Sequence, residues 1–207
     1  MAQAGPAHRK TRIQAQNEEL ILKAALEVFS AQGFRGSTVD QIAASCGLSK
    51  PNLLYYFRRK EDIYVAVLEH TLQDWLEPLR RLDAAGEPLD EITRYIRAKI
   101  RLSRDNPEAS RLFANEILHG AGAIGAYLQG PLKNLVDEKA AIIKGWIEAG
   151  RLAPIDPHHL IFAIWSTTQH YADFDAQVHA ILGTPPDLME KAEETLIRLF
   201  VEGLRPR

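Results

Sequence analysis

The chain has 207 residues, 46% of them hydrophobic, and a net charge of −2. That composition supports a sizeable core in one large domain or two smaller ones. No uninterrupted apolar run approaches the roughly 20 residues of a membrane span, there is no secretory signal, and a lone cysteine, Cys46, excludes an internal disulfide and fits a reducing cytoplasm.

The charge is unevenly spread. Residues 1–60 hold nine Lys/Arg against four Asp/Glu, a balance of +5, which leaves −7 for the remainder. A basic end on an acidic body suggests a polyanion-binding module joined to something else.

Residues 1–16 are small, polar and basic with no apolar period, and read as a flexible arm. Arg9, Lys10 and Arg12 would reach a DNA minor groove or phosphates, or simply be solvated. Leu22, Ala25, Leu26 and Phe29 recur at helical spacing, which predicts a first helix over 17–32 ended by Gly33. Two helix starts follow, twelve residues apart. Ser37 or Thr38 caps a short helix running to about Ser45, and Ser49 caps another from Lys50 to Tyr55 with Pro51 in its first turn. Gly47 supplies the turn between them. Small Ala43, turning Gly47 and apolar Leu53 fit two short helices packed at a steep angle, a helix-turn-helix whose second helix enters the major groove. Lys50, Asn52 and Tyr55 form the polar outer face of that helix. Cys46 reads as a small packing residue rather than a reactive thiol.

A fourth helix should begin near Lys60, with Glu61 and Asp62 at the positive end of its dipole. It should run to about Ala84 with a disturbance near Pro78. Helices are predicted over about 89–104 (Ile92, Ile96, Ile100 and Leu102 apolar), 107–118, 126–149, 157–182 and 187–203, the penultimate one capped by Asp156 ahead of Pro157. The fold expected is all-α with about nine helices and no strands. Its domains are an arm (1–16), a helix-turn-helix DNA-binding domain (17–62) and a larger C-terminal helical domain (63–207) for ligand binding and dimerisation. The last two helices make an αα-hairpin, and two copies would form a four-helix bundle on a two-fold DNA site.

The stretches Gly33–Ala43 and Gly47–Phe57, with Lys60-Glu61-Asp62, resemble the DNA-binding domain of the TetR family of one-component regulators. Ser103–Phe113, Val136–Lys139, Leu152–Phe174 and Glu202–Arg207 are similar to the branch of that family that regulates pyrimidine utilisation. The resemblance implies a dimeric, repressor-type transcription regulator that binds a pseudo-palindromic operator and is released by uracil or thymine. It also implies DNA contacts from Lys50, Asn52 and Tyr55 on the recognition helix, Asn52 and Lys50 reaching base edges, and phosphate contacts from Thr38, Tyr56 and Lys60.

Trp165, Gln169 and Asp173 lie at i, i+4 and i+8, along one side of an otherwise apolar helix. An inward amide and carboxylate must find partners. A uracil or thymine edge alternates C=O and N–H, and the Gln169 amide matches such an edge. On the residues alone, Gln169 and Asp173 serve a ligand or pair across a dimer interface equally well. The resemblance favours the ligand, with Trp75, Trp165 and Gln169 in contact with it, Asp173 beside them, and the angle of the Lys60 helix altered on binding. The other reading is a regulator of the same type answering a different small aromatic or amphipathic ligand. His158, His159 and His170 lack a metal-ligand set, and no cofactor is expected. The sequence carries no P-loop, Gly-x-Ser-x-Gly, His-Glu-x-x-His or dinucleotide fingerprint, so an enzyme is not expected. An architectural DNA-binding protein without an effector would leave the acidic body unexplained.

Overall fold

The computed structural model describes residues 12–206. Arg9 and Lys10 of the arm lie outside the described residues. Every regular element among the described residues is helical, and a first compact unit ends at Val67 where a second begins at Leu68.

In the first unit, α1 (Arg12–Gly36), α2 (Val39–Ser45) and α3 (Lys50–Tyr56) precede the start of α4 (Lys60–Arg80). α1 begins five residues before the predicted start. Residues 12–16 are mostly exposed, so apolar periodicity carries no trace of them. Its axis breaks at Gly33, which takes φ 69° and ψ 168°. A side chain is disfavoured there, and the last turn is redirected. Ile21, Ala24, Ala25 and Phe29 are the buried residues of α1. Phe29 meets the Tyr64 ring edge-on at 5.1 Å, and Phe34 lies 4.8 Å from the same ring. With Ile42, Leu53 and Ile63, all fully buried, these rings make the small core.

The second unit holds α5 (Pro88–Asp105), α6 (Pro107–Leu118), α7 (Gly125–Tyr127), α8 (Lys133–Glu148), α9 (Pro157–Asp173), α10 (Asp175–Leu182) and α11 (Leu188–Leu204). A π-helical turn, Leu128–Leu132, joins α7 to α8 and contains Pro131. Proline offers no N–H to the ladder and its ring crowds the preceding turn, so the wider turn takes it up. The predicted helix over 157–182 is two helices, broken at Phe174, which brings the continuous helical runs among the described residues to ten. α4 stops at Arg80, just past Pro78, and Leu82 turns into the core.

α5 packs against both α9 and α11, and α9 also packs against α6 and α8. Leu79, Ile92, Ile96, Ile143, Leu160 and Ile164 are central to the core between them. The Trp146 indole donates to the Ala84 carbonyl at 3.0 Å, and Ala153 N–H donates to the Leu204 carbonyl at 2.9 Å, fastening the loop before α9 to the end of the chain. The buried face of α5 is broader than its apolar residues. Glu91, Tyr95, Lys99 and Ser103 lie on it, while Leu102, expected there, is only partly buried.

Candidate functional site

In the first unit, local hydrogen bonds hold α2 and α3 at a fixed angle. Thr38 closes a capping box: its hydroxyl accepts from Gln41 N–H at 3.2 Å, and the Gln41 side-chain oxygen accepts from Thr38 N–H at 2.8 Å. Leu48 N–H reaches back to the Ala43 carbonyl at 2.9 Å and Gly47 N–H to Ala44 at 3.2 Å, with Gly47 at φ 69°: a Schellman stop on α2. Cys46 is buried beside it and its thiol donates to the Ala43 carbonyl at 3.4 Å. Ser49 then caps α3 by accepting from Asn52 N–H. Leu53 points into the core, and Lys50, Asn52 and Tyr55 are exposed together, Tyr55 at 71%.

These three side chains differ in what already engages them. Lys50 pairs with Asp40 at 2.9 Å, both exposed, an ion pair that a phosphate or base edge can replace at little cost. Tyr55 Oη accepts weakly from Gln14 at 3.5 Å, and Asn52 makes no side-chain hydrogen bond among the described residues. The three expected phosphate contacts are more committed. Tyr56 Oη accepts from Asn17 Nδ2 at 2.7 Å. The Thr38 hydroxyl also donates to Gln41 Oε1 at 3.0 Å, so the box uses it both ways. Lys60 Nζ donates to the carbonyls of Phe34 at 2.7 Å and Ser37 at 2.8 Å, and stands 4.4 Å from the Phe34 ring centroid. It clips the end of α1 to the start of α4.

In the second unit, four polar groups meet among apolar helices. Lys99 is 2% exposed and its ammonium lies 3.9 Å from the centroid of the Trp75 ring. Burial pulls it down to about 7, against the opposing charge of Asp173. Asp173, the last residue of α9, is half-buried and accepts from the fully buried Ser110 hydroxyl of α6. Burial raises its carboxyl above the ordinary range, while the Ser110 bond and the charges of Lys99, Arg111 and His170 pull the other way. Arg111 ties the same junction, donating to Asp175 at 2.7 Å and to the Ala172 carbonyl at 3.3 Å.

Of the expected ligand residues, Trp75 and Asp173 share this cluster through Lys99. Trp165 does not stack on Trp75. Its indole N–H donates to Tyr95 Oη at 2.5 Å, and its ring leans on Phe162 at 5.7 Å. Burial pushes the Tyr95 phenol above its ordinary range. Gln169 is half-buried and makes no side-chain hydrogen bond among the described residues. A separate groove of about 290 Å³ opens beside Trp165, walled by Leu128, Leu132, Val136 and Phe162 and rimmed by Lys133, Asp137 and His158. It takes in neither Trp75, Gln169 nor Asp173. Its His158 Nε2 sits 3.0 Å from Asp137 Oδ1, an ion pair when the ring is protonated.

Sequence reasoning passed over Lys99, Ser110 and Tyr95. A signal existed for two of them: Tyr95, Lys99 and Ser103 recur every four residues beside Ile92, Ile96 and Ile100, a polar line within an apolar stripe. Ser110 carries no comparable mark.

Residues 21–67 match the family model described as "Bacterial regulatory proteins, tetR family", and residues 68–207 match "YcdC-like protein, C-terminal region". The chain is 49% identical over 202 residues to the HTH-type transcriptional regulator RutR of Escherichia coli (strain K12), covering 96% of this chain and 95% of that protein. It is 33% identical to the HTH-type transcriptional repressor NicS of Pseudomonas putida over 69% of each chain. Among solved structures, the ketosteroid transcriptional regulator KstR2 of Mycobacterium tuberculosis superposes with a TM-score of 0.71 at 18% identity, covering 99% of each chain. AibR in complex with isovaleryl coenzyme A and operator DNA does so at 0.68 and 19%, covering 88% of this chain and 97% of that one. The two structures share the fold.

Proposed function

We propose, from the premise that this chain belongs to the TetR family of bacterial DNA-binding transcriptional regulators, that its effector is a pyrimidine base, uracil or thymine. The family makes it a DNA-binding protein rather than an enzyme. In this reading it is a cytoplasmic homodimer that represses from a pseudo-palindromic operator. Lys50 and Asn52 read base edges, Tyr55 contacts the DNA beside them, and the groups around them set register on the phosphates. Exposed apolar side chains on the C-terminal helices, Phe162, Phe174 and Leu199 among them, support a dimer face there. A base lodged among Trp75, Trp165, Gln169 and Asp173 shifts the population toward states that release DNA.

The observation that carries the pyrimidine reading is the buried polar cluster: Lys99 against Trp75, and Asp173 against Ser110, in the interior of the second unit. A hydrocarbon effector has no use for such groups, whereas a small flat ring with C=O and N–H on its edge satisfies them. The cluster also bears on the choice left open by the sequence. Asp173 has its partners within its own chain, which favours a ligand-facing role over pairing across a dimer interface.

The test is a thermal-shift titration of the protein with uracil, thymine and cytosine, alongside Gln169→Ala. A ligand that binds only the folded state at about 100 times its Kd adds about 2.7 kcal/mol, a rise of about 5–10 °C for a chain of this size. The expected result is a rise with uracil or thymine, none with cytosine, and a reduced rise in the variant. No rise with any of them removes the pyrimidine reading and leaves the DNA-binding one intact.

A further inference from the structure

Two donors on one face of α5 end in the interior of the second unit with no acceptor among the described residues. Lys99 and Ser103 are four residues apart, one turn above the other, and each is 2% exposed. The Ser103 hydroxyl has no hydrogen-bond partner among the described residues. The Lys99 ammonium has neither a hydrogen bond nor a carboxylate within 4.0 Å among them, and rests only against the Trp75 ring. A ring face replaces a fraction of the hydration that an ammonium loses on burial. Buried polar groups are almost always paired, so two unpaired donors on adjacent turns mark a place where an acceptor belongs.

The rest of the cluster defines that acceptor. The Asp173 carboxylate is near enough for Lys99 to feel its charge, yet makes no ion pair with it, and Ser110 fixes it in place. The cluster therefore offers donors at one end, an indole face, and a carboxylate acceptor at the other. The complementary molecule is a flat ring with a carbonyl beside an N–H. In uracil and thymine these groups adjoin. Cytosine keeps one such pair, C2=O beside N1–H, but its C4 edge is an amino group beside a bare N3, which sets donor against donor and lone pair against carboxylate.

We infer that Lys99 and Ser103 bind the C4 carbonyl of the effector while Asp173 accepts from the adjoining N3–H. This rests on the pyrimidine reading and adds to it the atoms that separate uracil and thymine from cytosine. Sites built to hydrogen-bond a ligand reject analogues that leave those groups unpaired far more strongly than apolar pockets reject a misfit.

Isothermal titration of the full chain with uracil, thymine and cytosine, for the wild type, Lys99→Met and Ser103→Ala, tests it. The wild type should favour uracil by about 100-fold or more. Lys99→Met should weaken uracil by about 30-fold, and Ser103→Ala by about fivefold. Both variants should melt no lower than the wild type without ligand, because one loses an uncompensated buried charge and the other an unpartnered hydroxyl. Ser103→Ala thus reads affinity with the fold intact. Wild-type affinity for uracil in both variants overturns this assignment alone. A wild type that binds neither uracil nor thymine overturns the pyrimidine reading and this assignment with it.

Discussion

Replacing Lys60 with methionine keeps the length and apolar stem of the side chain and removes only the ammonium. In the wild type that ammonium donates to the carbonyls of Phe34 and Ser37 at 2.7 and 2.8 Å and lies over the Phe34 ring. A hydrogen bond from a charged donor contributes about 1.5–3 kcal/mol where water is excluded. Lys60 is half-buried, so water can reach part of what it leaves, and the loss for the pair should be about 2 kcal/mol. Hydrogen exchange is the direct assay. A local loss of that size should speed exchange of the most protected amides of α2 and of the end of α1 about 30-fold. DNA affinity should fall as well, but the slope of log K against log salt should hold, because the lost contact is within the protein. Had Lys60 served as a phosphate contact, the slope would drop by about 0.9 for each contact removed. Unchanged exchange together with a shallower salt slope would refute the clip and restore the phosphate role.

Asp40→Asn should free Lys50 from its 2.9 Å ion pair and remove a negative charge from the reading face. Filter-binding should then show about threefold tighter binding to any duplex and a steeper salt dependence. Asp156 caps α9 by accepting from His158 and His159 N–H at 2.9 and 3.0 Å, and these bonds hold its carboxyl below the ordinary range. Asp156→Ala should lower the melting temperature by about 2–4 °C near neutral pH, a difference that vanishes as acid protonates the carboxylate in the wild type. For Lys99 the sign is reversed from that of a partnered lysine. Burial takes the folded-state value to about 7 against 10.5 for the open chain, so between them the unfolded chain holds the extra proton. Stability should climb by about 1 kcal/mol per pH unit above pH 7, read as a rising urea midpoint, and Lys99→Met should flatten the climb.

The two units differed in how much of them could be read from residues alone, and the difference is one of range. The helix-turn-helix is specified by bonds that span three to five positions: Thr38 with Gln41, Leu48 with Ala43, Ser49 with Asn52. Hydroxyls and a glycine at those spacings leave few alternatives. The polar cluster is specified by packing. Ser110 and Asp173 are 63 positions apart, and nothing near either one names the other. Lys99 in a helix rich in charge reads as one more solvated lysine unless its place on the apolar stripe is weighed. Trp75 and Trp165 were legible as ligand-sized rings, but not that one would stand against Lys99 and the other would hydrogen-bond Tyr95. The early start of α1 and the break at Phe174 share another cause. Neither carries a glycine, a proline or an apolar rhythm to mark it.

The break at Phe174 also sets two neighbouring helices apart in cooperativity. α9 buries five side chains, while α10 buries only Val178 and leaves Ile181 and Leu182 exposed. Eight residues cannot hold a helix in water by their own hydrogen bonds, so α10 persists only as far as its surroundings make it. It begins two residues after Asp173, where Arg111 fastens it through Asp175. With one buried side chain, α10 has little of its own to resist with. A change in what Asp173 binds will therefore show there first, as a segment that melts or sets while the helices around it keep their shape.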